Sequence, residues 1–274
     1  MNLAKTPTYW IVPMLMMGLM GAGAGLAIAE PYHVIDVTDG GTIIGVATWK
    51  GEVPELPPIE IDADTNVCGE EAPSQALRVN SKNNGVPYVL VYLDGVEQGK
   101  APADKYWLRM MNCQFKEHIF PFVRSQVMAM VNHDPFFHNP HFFNAKNASL
   151  LNVPMPDPGQ EIDHKFLRTP LKNERGVMRL QCDVHNNMNA YWAGFDHPYF
   201  AVTDADGKFE ISGIPPGKYT VIAWHEGYKV IIKEATGRPL YDRPHIRQQE
   251  IEVKPKETVK VGFEFPVRKV YIDY

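Results

Sequence analysis

Residues 199–228, YFAVTDADGKFEISGIPPGKYTVIAWHEGY, combine short apolar segments with two turn signals. Asp206 followed by Gly207 has the composition of a tight turn between two strands. The Pro-Pro-Gly of residues 215–217 predicts a second turn a few residues later. The stretch therefore predicts successive β-strands.

The upstream chain repeats this pattern of short strand-like segments. GTIIGVATWKG (residues 41–51) and GVPYVLVYLDGV (residues 85–96) are strand-like and bounded by glycine. In SQVMAMVNHD (residues 125–134), residues 127, 129 and 131 alternate with two methionines, which is a period of two. The 23 prolines and 21 glycines suit a chain with many turns. No segment has helical periodicity over ten residues, so we predict an all-β protein built from sandwiches.

Composition limits the class of protein. The 274 residues suffice for two ordinary domains, and 45% hydrophobic with 22% charged residues is typical of a globular chain. The net charge of −5 gives no electrostatic support for a nucleic-acid partner.

The first 29 residues have the composition of a targeting segment. Lys5 precedes a long apolar run that ends in Ala27-Ile28-Ala29, which predicts a secretory signal peptide cleaved after residue 29. We therefore expect a periplasmic or extracellular protein with no membrane span after cleavage. The alternative is an uncleaved membrane anchor, for which the apolar run is long enough.

The stretch TDADGKFEISGIPPGKYTVIAWHEGY resembles the carboxypeptidase regulatory-like (prealbumin-like) family, as do GTIIGVATWKG and VPYVLVYLDG. In that family the three pieces follow closely, whereas here roughly a hundred residues separate the second from the third. The resemblance implies an Ig-like β-sandwich formed by residues 30–100 and 198–274, with residues 101–197 inserted as a second domain. Three consecutive β-domains are the alternative.

The predicted insertion contains VNHDPFFHNPHF (residues 131–142) and QCDVHNNMNAY (residues 181–191). A strand, then Asn-x-Asp-x3-His-Asn, then about forty residues, then Cys-x2-His-x2-Met resembles the cupredoxin, or blue copper, family over residues 105–193. The resemblance implies a Greek-key, plastocyanin-like sandwich with one type-1 copper. The implied ligands are His138, Cys182, His185 and Met188, and Asn139 would tie the two ligand segments together.

The chemistry of these residue types supports a copper site independently of the resemblance. Blue copper sites use two imidazoles and a thiolate in one plane, with a weak axial thioether. Zinc is the alternative metal, since it also binds cysteine and histidine, but zinc sites rarely use methionine. A lone cysteine or methionine is more often a buried core residue.

The chain has three cysteines, and an exported protein tends to oxidise them in pairs. If Cys182 binds the metal, Cys68 and Cys113 are the natural disulfide, although the sequence does not prove the pairing. The absence of a Cys-x-x-Cys-His motif excludes a covalent c-type haem.

Further histidines and methionines leave other sites open. A second metal site is conceivable at His118, His133 and His141, while His197 and His225 are expected to make structural hydrogen bonds. The methionines at positions 110, 111, 128 and 130 could form a copper-handling surface, although core filling is the favoured interpretation.

The sequence favours a one-electron carrier, not an enzyme. Its redox partner would be a c-type cytochrome or a periplasmic redox enzyme, met through an apolar rim around His185, whose imidazole would carry the electron if its edge reaches solvent. Copper delivery, or docking within a larger redox assembly, is the alternative. Catalysis is disfavoured because Cys182 has no adjacent histidine and the chain has no His-x-His pair.

Overall fold

The structure, a computed structural model, describes residues 32–165 and 176–266. The predicted signal peptide, residues 1–29, lies outside the described residues. Strands dominate the described part, whose one α-helix is the four-residue α1, Thr65–Cys68. The all-β prediction is confirmed. In these ranges, no helix has the length and apolar character needed to cross a membrane.

The strands are numbered in chain order, and their bounds are as follows. They are β1 His33–Val34, β2 Gly41–Trp49, β3 Ile59–Glu60, β4 Glu71–Ala72, β5 Leu90–Asp94, β6 Gln98–Gly99, β7 Lys105–Met110, β8 Ile119–Val123, β9 Val127–Asn132, β10 Pro140–Phe143, β11 Ser149–Asn152, β12 Glu161–Lys165, β13 Met178–Cys182, β14 Asn189–Phe195, β15 Phe200–Val202, β16 Lys208–Ile214, β17 Gly217–His225, β18 Val230–Lys233, β19 Pro239–Tyr241, β20 His245–Val253 and β21 Thr258–Phe265.

Strands β7 to β14 form what we call the middle sandwich. Its five-stranded sheet has the order β11-β10-β13-β14-β8, and its three-stranded sheet has the order β12-β9-β7. Large side chains such as Phe122, Phe142 and Trp192 are fully buried in its core. Met128 and Met130 are also fully buried there, as expected of core-filling methionines.

Strands β2, β5, β15, β16, β17, β20 and β21 form what we call the outer sandwich. One sheet has the order β15-β5-β17-β20 and the other β16-β2-β21, so strands before and after the middle sandwich pair with each other. Gly207, in the predicted turn, has φ of 76° and lies against the backbone of Ala47, where a side chain would collide. The predicted domain boundaries at 100/101 and 197/198 remain a prediction.

A small buried cluster joins the two sandwiches. Leu90 of β5 and Trp224 of β17 pack with Ile119 of β8 and Ala193 of β14. Full burial of a leucine or isoleucine side chain contributes about 1.5–3 kcal/mol to stability. The two sandwiches are therefore in direct contact at this cluster.

Residues 59–72, which contain β3, α1 and β4, form a short segment that we call the cap. Cys68, at the end of α1, is joined by a disulfide bond to Cys113 in the loop after β7. This bond ties the cap covalently to the middle sandwich. The remaining cysteine, Cys182, is free and buried.

Candidate metal centre

Strand pairing brings together two segments that are more than forty residues apart. β10 and β13 are antiparallel neighbours, with Pro140 opposite Cys182. His138 lies two residues before β10, and Cys182 is the last residue of β13. The register therefore places the His138 side chain beside the loop that carries His185.

His138, Cys182 and His185 form a compact group of possible metal ligands. The Cys182 Sγ lies 3.8 Å from His138 Nδ1 and 3.6 Å from His185 Nδ1. One donor atom from each residue lies within 4.8 Å of the others, and all three residues are fully buried. Metal–sulfur bonds of about 2.3 Å and metal–nitrogen bonds of about 2.0–2.1 Å, at angles of about 109–120°, require a sulfur–nitrogen separation of about 3.5–3.8 Å. The observed separations fit this range.

Met188, the predicted axial ligand, closes the loop between β13 and β14. Its carbonyl accepts a hydrogen bond from the Cys182 N–H at 3.1 Å, and its own N–H donates to the His185 carbonyl at 3.1 Å. The side chain is 1% exposed and belongs to the same core cluster as Cys182. The loop from residue 182 to residue 188, which we call the ligand loop, is therefore folded back on itself.

Asn139 connects the two ligand segments through its backbone. Its N–H donates to the Cys182 Sγ at 3.3 Å, and its carbonyl accepts from the Asp183 N–H at 3.0 Å. Burial raises the pKa of the Cys182 thiol, while the backbone hydrogen bond from Asn139 lowers it. A hydrogen bond to sulfur stabilises the thiolate form that a metal needs.

A carboxylate from the same segment holds the second nitrogen of His138. His138 Nε2 donates to Asp134 Oδ2 at 2.9 Å, and Asp134 also accepts from the backbone N–H groups of Asn112 and Cys113 at 2.7 and 2.9 Å. Burial lowers the pKa of His138, and the hydrogen bond to Asp134 raises it. With the proton on Nε2, the lone pair of Nδ1 faces the sulfur.

His185 has the same arrangement, but its carboxylate comes from the cap. His185 Nε2 donates to Asp64 Oδ2 at 2.9 Å, across 121 residues of sequence. The side chain of Asp64 is 38% exposed, whereas that of His185 is completely buried. The imidazole edge of His185 therefore does not reach solvent, which was the condition for its carrying the electron, because an acidic residue of the cap covers it.

A buried arginine binds the ligand loop from the other side. Arg238, in the hairpin between β18 and β19, is 2% exposed. Its Nη2 donates to the carbonyls of Cys182 and His185 at 2.6 and 3.0 Å. Its Nη1 donates to the carbonyl of Met188 at 3.0 Å and to Asn189 Oδ1 at 2.8 Å. Burial lowers the pKa of the guanidinium, and Glu234, 3.5 Å from Nε, raises it.

Asn186 fastens the ligand loop to both flanking segments. Its side-chain amide donates to the Glu60 carbonyl of the cap at 2.8 Å and to the Thr236 carbonyl at 2.7 Å. Its backbone N–H donates to Asp62 Oδ1 at 3.4 Å. Segments outside the middle sandwich thus restrain the ligand loop on two sides.

The other histidines singled out in the sequence are not brought together. His118 pairs with buried Glu226 and with the Asn189 carbonyl, while His141 contacts Asp183 at 2.8 Å and Ser149 at 2.7 Å. His133 is exposed. Within residues 32–165 and 176–266, the group of possible metal ligands is His138, Cys182 and His185.

The sequence did not assign Asp134, Asp64, Arg238 or Asn186 to this site. Asp134 had a local signal, because it lies only four residues before His138 in the Asn-x-Asp-x3-His segment. Asp64 and Arg238 had none, since each is a single charged residue far along the chain from the ligand that it contacts.

Comparison with known proteins gives partial similarities. Residues 176–261 match the family model described as polysaccharide lyase family 4, domain II, which is not the carboxypeptidase regulatory-like family that the sequence suggested. None of the curated proteins compared with the chain matches it.

Several solved structures resemble part of the chain. Amicyanin from Paracoccus versutus is 18% identical over 35% of this chain and 85% of its own, with a TM-score of 0.28. A purple cupredoxin from Nitrosopumilus maritimus is 16% identical over 34% of this chain and 100% of its own, with a TM-score of 0.27. The copper-containing nitrite reductase of Thermus scotoductus SA-01 is 14% identical over 37% of this chain and 24% of its own, with a TM-score of 0.28. The assignment of a metal to this site therefore depends on the geometry and chemistry of its own residues.

Proposed function

We propose that the chain binds one copper ion in a cupredoxin-type site and acts as a one-electron carrier. His138 and His185 would bind through Nδ1, Cys182 through Sγ, and Met188 would supply a thioether. One observation carries the proposal. Two imidazole Nδ1 atoms face the same cysteine sulfur at 3.8 and 3.6 Å, with each Nε2 held by a carboxylate.

The residues of the site are suited to keep one arrangement during electron transfer. A bound copper ion would supply the change between Cu(II) and Cu(I). Asp134 and Asp64 fix the orientation of the two imidazoles, and the Asn139 N–H supports the thiolate. Such outer hydrogen bonds set the tautomer and the orientation of metal-binding histidines.

The burial of the site favours a carrier over a delivery protein. A protein that hands copper to another needs ligands that an acceptor can reach, whereas the three ligands here are fully buried. Of the four methionines considered for a copper-handling surface, Met110, Met128 and Met130 are fully buried and Met111 is half-buried, which favours core filling. Zinc shares the nitrogen and thiolate donors, and the metal content of the purified protein discriminates between the two ions.

The cap suggests where a redox partner would dock. Since Asp64 covers His185, we infer that electrons enter and leave through the cap near this carboxylate. Asp62, Asp64, Glu70 and Glu71 make this surface acidic, so it would attract a partner with a basic docking face. A c-type cytochrome or a periplasmic redox enzyme with such a face is the partner that we propose.

The proposed location is the periplasm or the cell exterior. The Cys68–Cys113 disulfide supports this location, because such bonds persist in oxidising compartments. The composition of the first 29 residues supports it as well.

Reconstitution with Cu(II) tests the proposed function. We expect one copper per chain and a strong visible absorption band from thiolate-to-copper charge transfer, bleached reversibly by one electron. Cys182→Ser and His138→Gln should abolish the band, whereas His133→Gln, an exposed histidine five residues from His138, should keep it. A colourless protein with tightly bound zinc, or a copper that does not cycle with a c-type cytochrome in stopped-flow mixing, would contradict the proposal.

A further inference from the structure

We propose that Arg238 is a positioning residue of the metal centre, which fixes the ligand loop and favours the reduced state of a bound copper. The effect on copper rests on the proposed function, whereas the restraint of the ligand loop concerns the protein without metal. Arg238 lies outside the middle sandwich that supplies all four proposed ligands, so the site would be completed by a different part of the chain.

The geometry of Arg238 is specific to the ligand loop. Its two terminal nitrogens donate to the carbonyls of Cys182, His185 and Met188, which are three of the four proposed ligands. The planar fork of a guanidinium can reach several carbonyls at fixed angles, which a lysine ammonium on a flexible stem cannot do. Arg238 therefore restrains three ligand positions with one side chain.

The hydrogen bonds of Arg238 reinforce those of the loop itself. The carbonyl of Met188 accepts from the Cys182 N–H and from Arg238, and the carbonyl of His185 accepts from the Met188 N–H and from Arg238. Without the guanidinium, both carbonyls lose a charged donor in a buried site. Because hydrogen bonds to charged groups stabilise a fold more than those between neutral groups, local opening of this loop should become easier.

The buried charge of Arg238 has a second effect. A one-electron reduction adds one negative charge to the site, and a nearby positive charge stabilises the more negative state. Glu234, 3.5 Å from Nε, is one-third exposed, so water screens its opposing charge more than that of the guanidinium. The net effect of Arg238 is to raise the reduction potential.

Two variants separate position from charge. Arg238→Met removes the fork and the charge, and Arg238→Lys keeps the charge without the fork. Arg247→Met is the matched control, because Arg247 also donates to a backbone carbonyl, that of Glu264, but lies on β20. All variants are prepared as the full chain, first without metal and then with copper.

The first measurement is amide hydrogen exchange at Cys182 and Met188 in the metal-free protein. We expect exchange at these two amides at least about tenfold faster in Arg238→Met and faster also in Arg238→Lys, with no change in Arg247→Met. Equal exchange in the wild type and both Arg238 variants would overturn the positioning role. If Arg238→Met does not fold, Arg238→Lys decides the outcome by the same comparison.

The second measurement is the reduction potential of the copper-loaded variants. The potential should fall in Arg238→Met, stay near that of the wild type in Arg238→Lys, and not change in Arg247→Met. An unchanged or higher potential in Arg238→Met would overturn the charge effect. If the wild type binds no copper, the proposed function fails, whereas the exchange measurement still decides whether Arg238 holds the loop.

Discussion

Asp64 and His185 form a hydrogen bond of 2.9 Å that joins the cap to the ligand loop, although 121 residues separate them in the sequence. The bond has two consequences for the site. It fixes the proton of His185 on Nε2, and it places a negative charge between the imidazole and solvent.

Removal of the Asp64 carboxylate should weaken the site. Asp64→Ala leaves His185 Nε2 without its partner, and loss of such a partner typically lowers metal affinity about 10- to 100-fold. Competition with a Cu(I) chelator measures this change. Glu71→Gln, which changes the same charge on β4 of the cap, should leave the affinity within error of the wild type. Equal losses in both variants would mean that the charge of the cap matters and not the contact with His185.

Loss of the Cys68–Cys113 disulfide should loosen the cap. The bond closes a loop with a sequence separation of 45, for which a stabilisation of about 2–4 kcal/mol is typical. We expect the Cys68→Ala, Cys113→Ala double variant to have a free energy of unfolding lower by this amount, measured with a chemical denaturant. Copper removal by a chelator should also be faster, since Asp64 lies four residues before Cys68. An unchanged rate of removal would show that the cap covers the site without the disulfide.

Asp134 should affect both stability and metal binding. It accepts one hydrogen bond from His138 and two from the backbone of the loop that contains Cys113. Asp134→Ala leaves the His138 Nε2–H and the Cys113 N–H, which are both buried, without an acceptor, at about 1–3 kcal/mol each. We expect thermal unfolding of the metal-free protein at a lower temperature, together with a loss of copper affinity. A variant as stable as the wild type without metal would contradict this account of Asp134.

The sequence was informative where ligands lie close together and uninformative where contacts are distant. Cys182, His185 and Met188 stand three residues apart in one loop, and the strand pattern around His138 indicates a sheet beside it. The pairing of β10 with β13 then brings His138 beside this loop. The all-β class follows from the same strand and turn patterns.

The burial of His185 could not be read from the sequence. It depends on how the cap packs over the ligand loop, and that packing is set by the disulfide and by Asn186, which contacts both Glu60 and Thr236. Arg238 is likewise one arginine in a hairpin with no motif around it. Its role follows from the three carbonyls that it reaches in space.

His225 should make the stability of the protein depend on pH. Burial lowers its pKa from 6.5 to about 4, and the nearby charge of Glu226 opposes this while His245 and His118 add to it. Well above pH 6.5 the histidine is neutral in both the folded and the unfolded state, so it has no effect on stability. As the pH falls from 6.5 to 4, the unfolded chain takes up a proton that the folded chain refuses, and up to about 3 kcal/mol of stability is lost.

Denaturant unfolding at several pH values measures this effect. We expect the loss of stability between pH 6.5 and 4.5 to be smaller in His225→Gln, whose amide can still donate to the Glu226 carbonyl that His225 Nδ1 contacts. His133→Gln, which replaces an exposed histidine, should keep the wild-type dependence of the free energy of unfolding on pH. The same dependence of the free energy of unfolding on pH in all three proteins would show that His225 does not titrate as its burial predicts.

X-ray absorption at the copper edge tests most directly whether His138, Cys182 and His185 bind the same ion. We expect two nitrogen ligands at about 2.0 Å and one sulfur at about 2.2–2.3 Å, with the sulfur lost in Cys182→Ser and one nitrogen lost in His138→Gln. If only oxygen and nitrogen atoms are bound to copper, and neither substitution changes them, copper binds elsewhere on the protein.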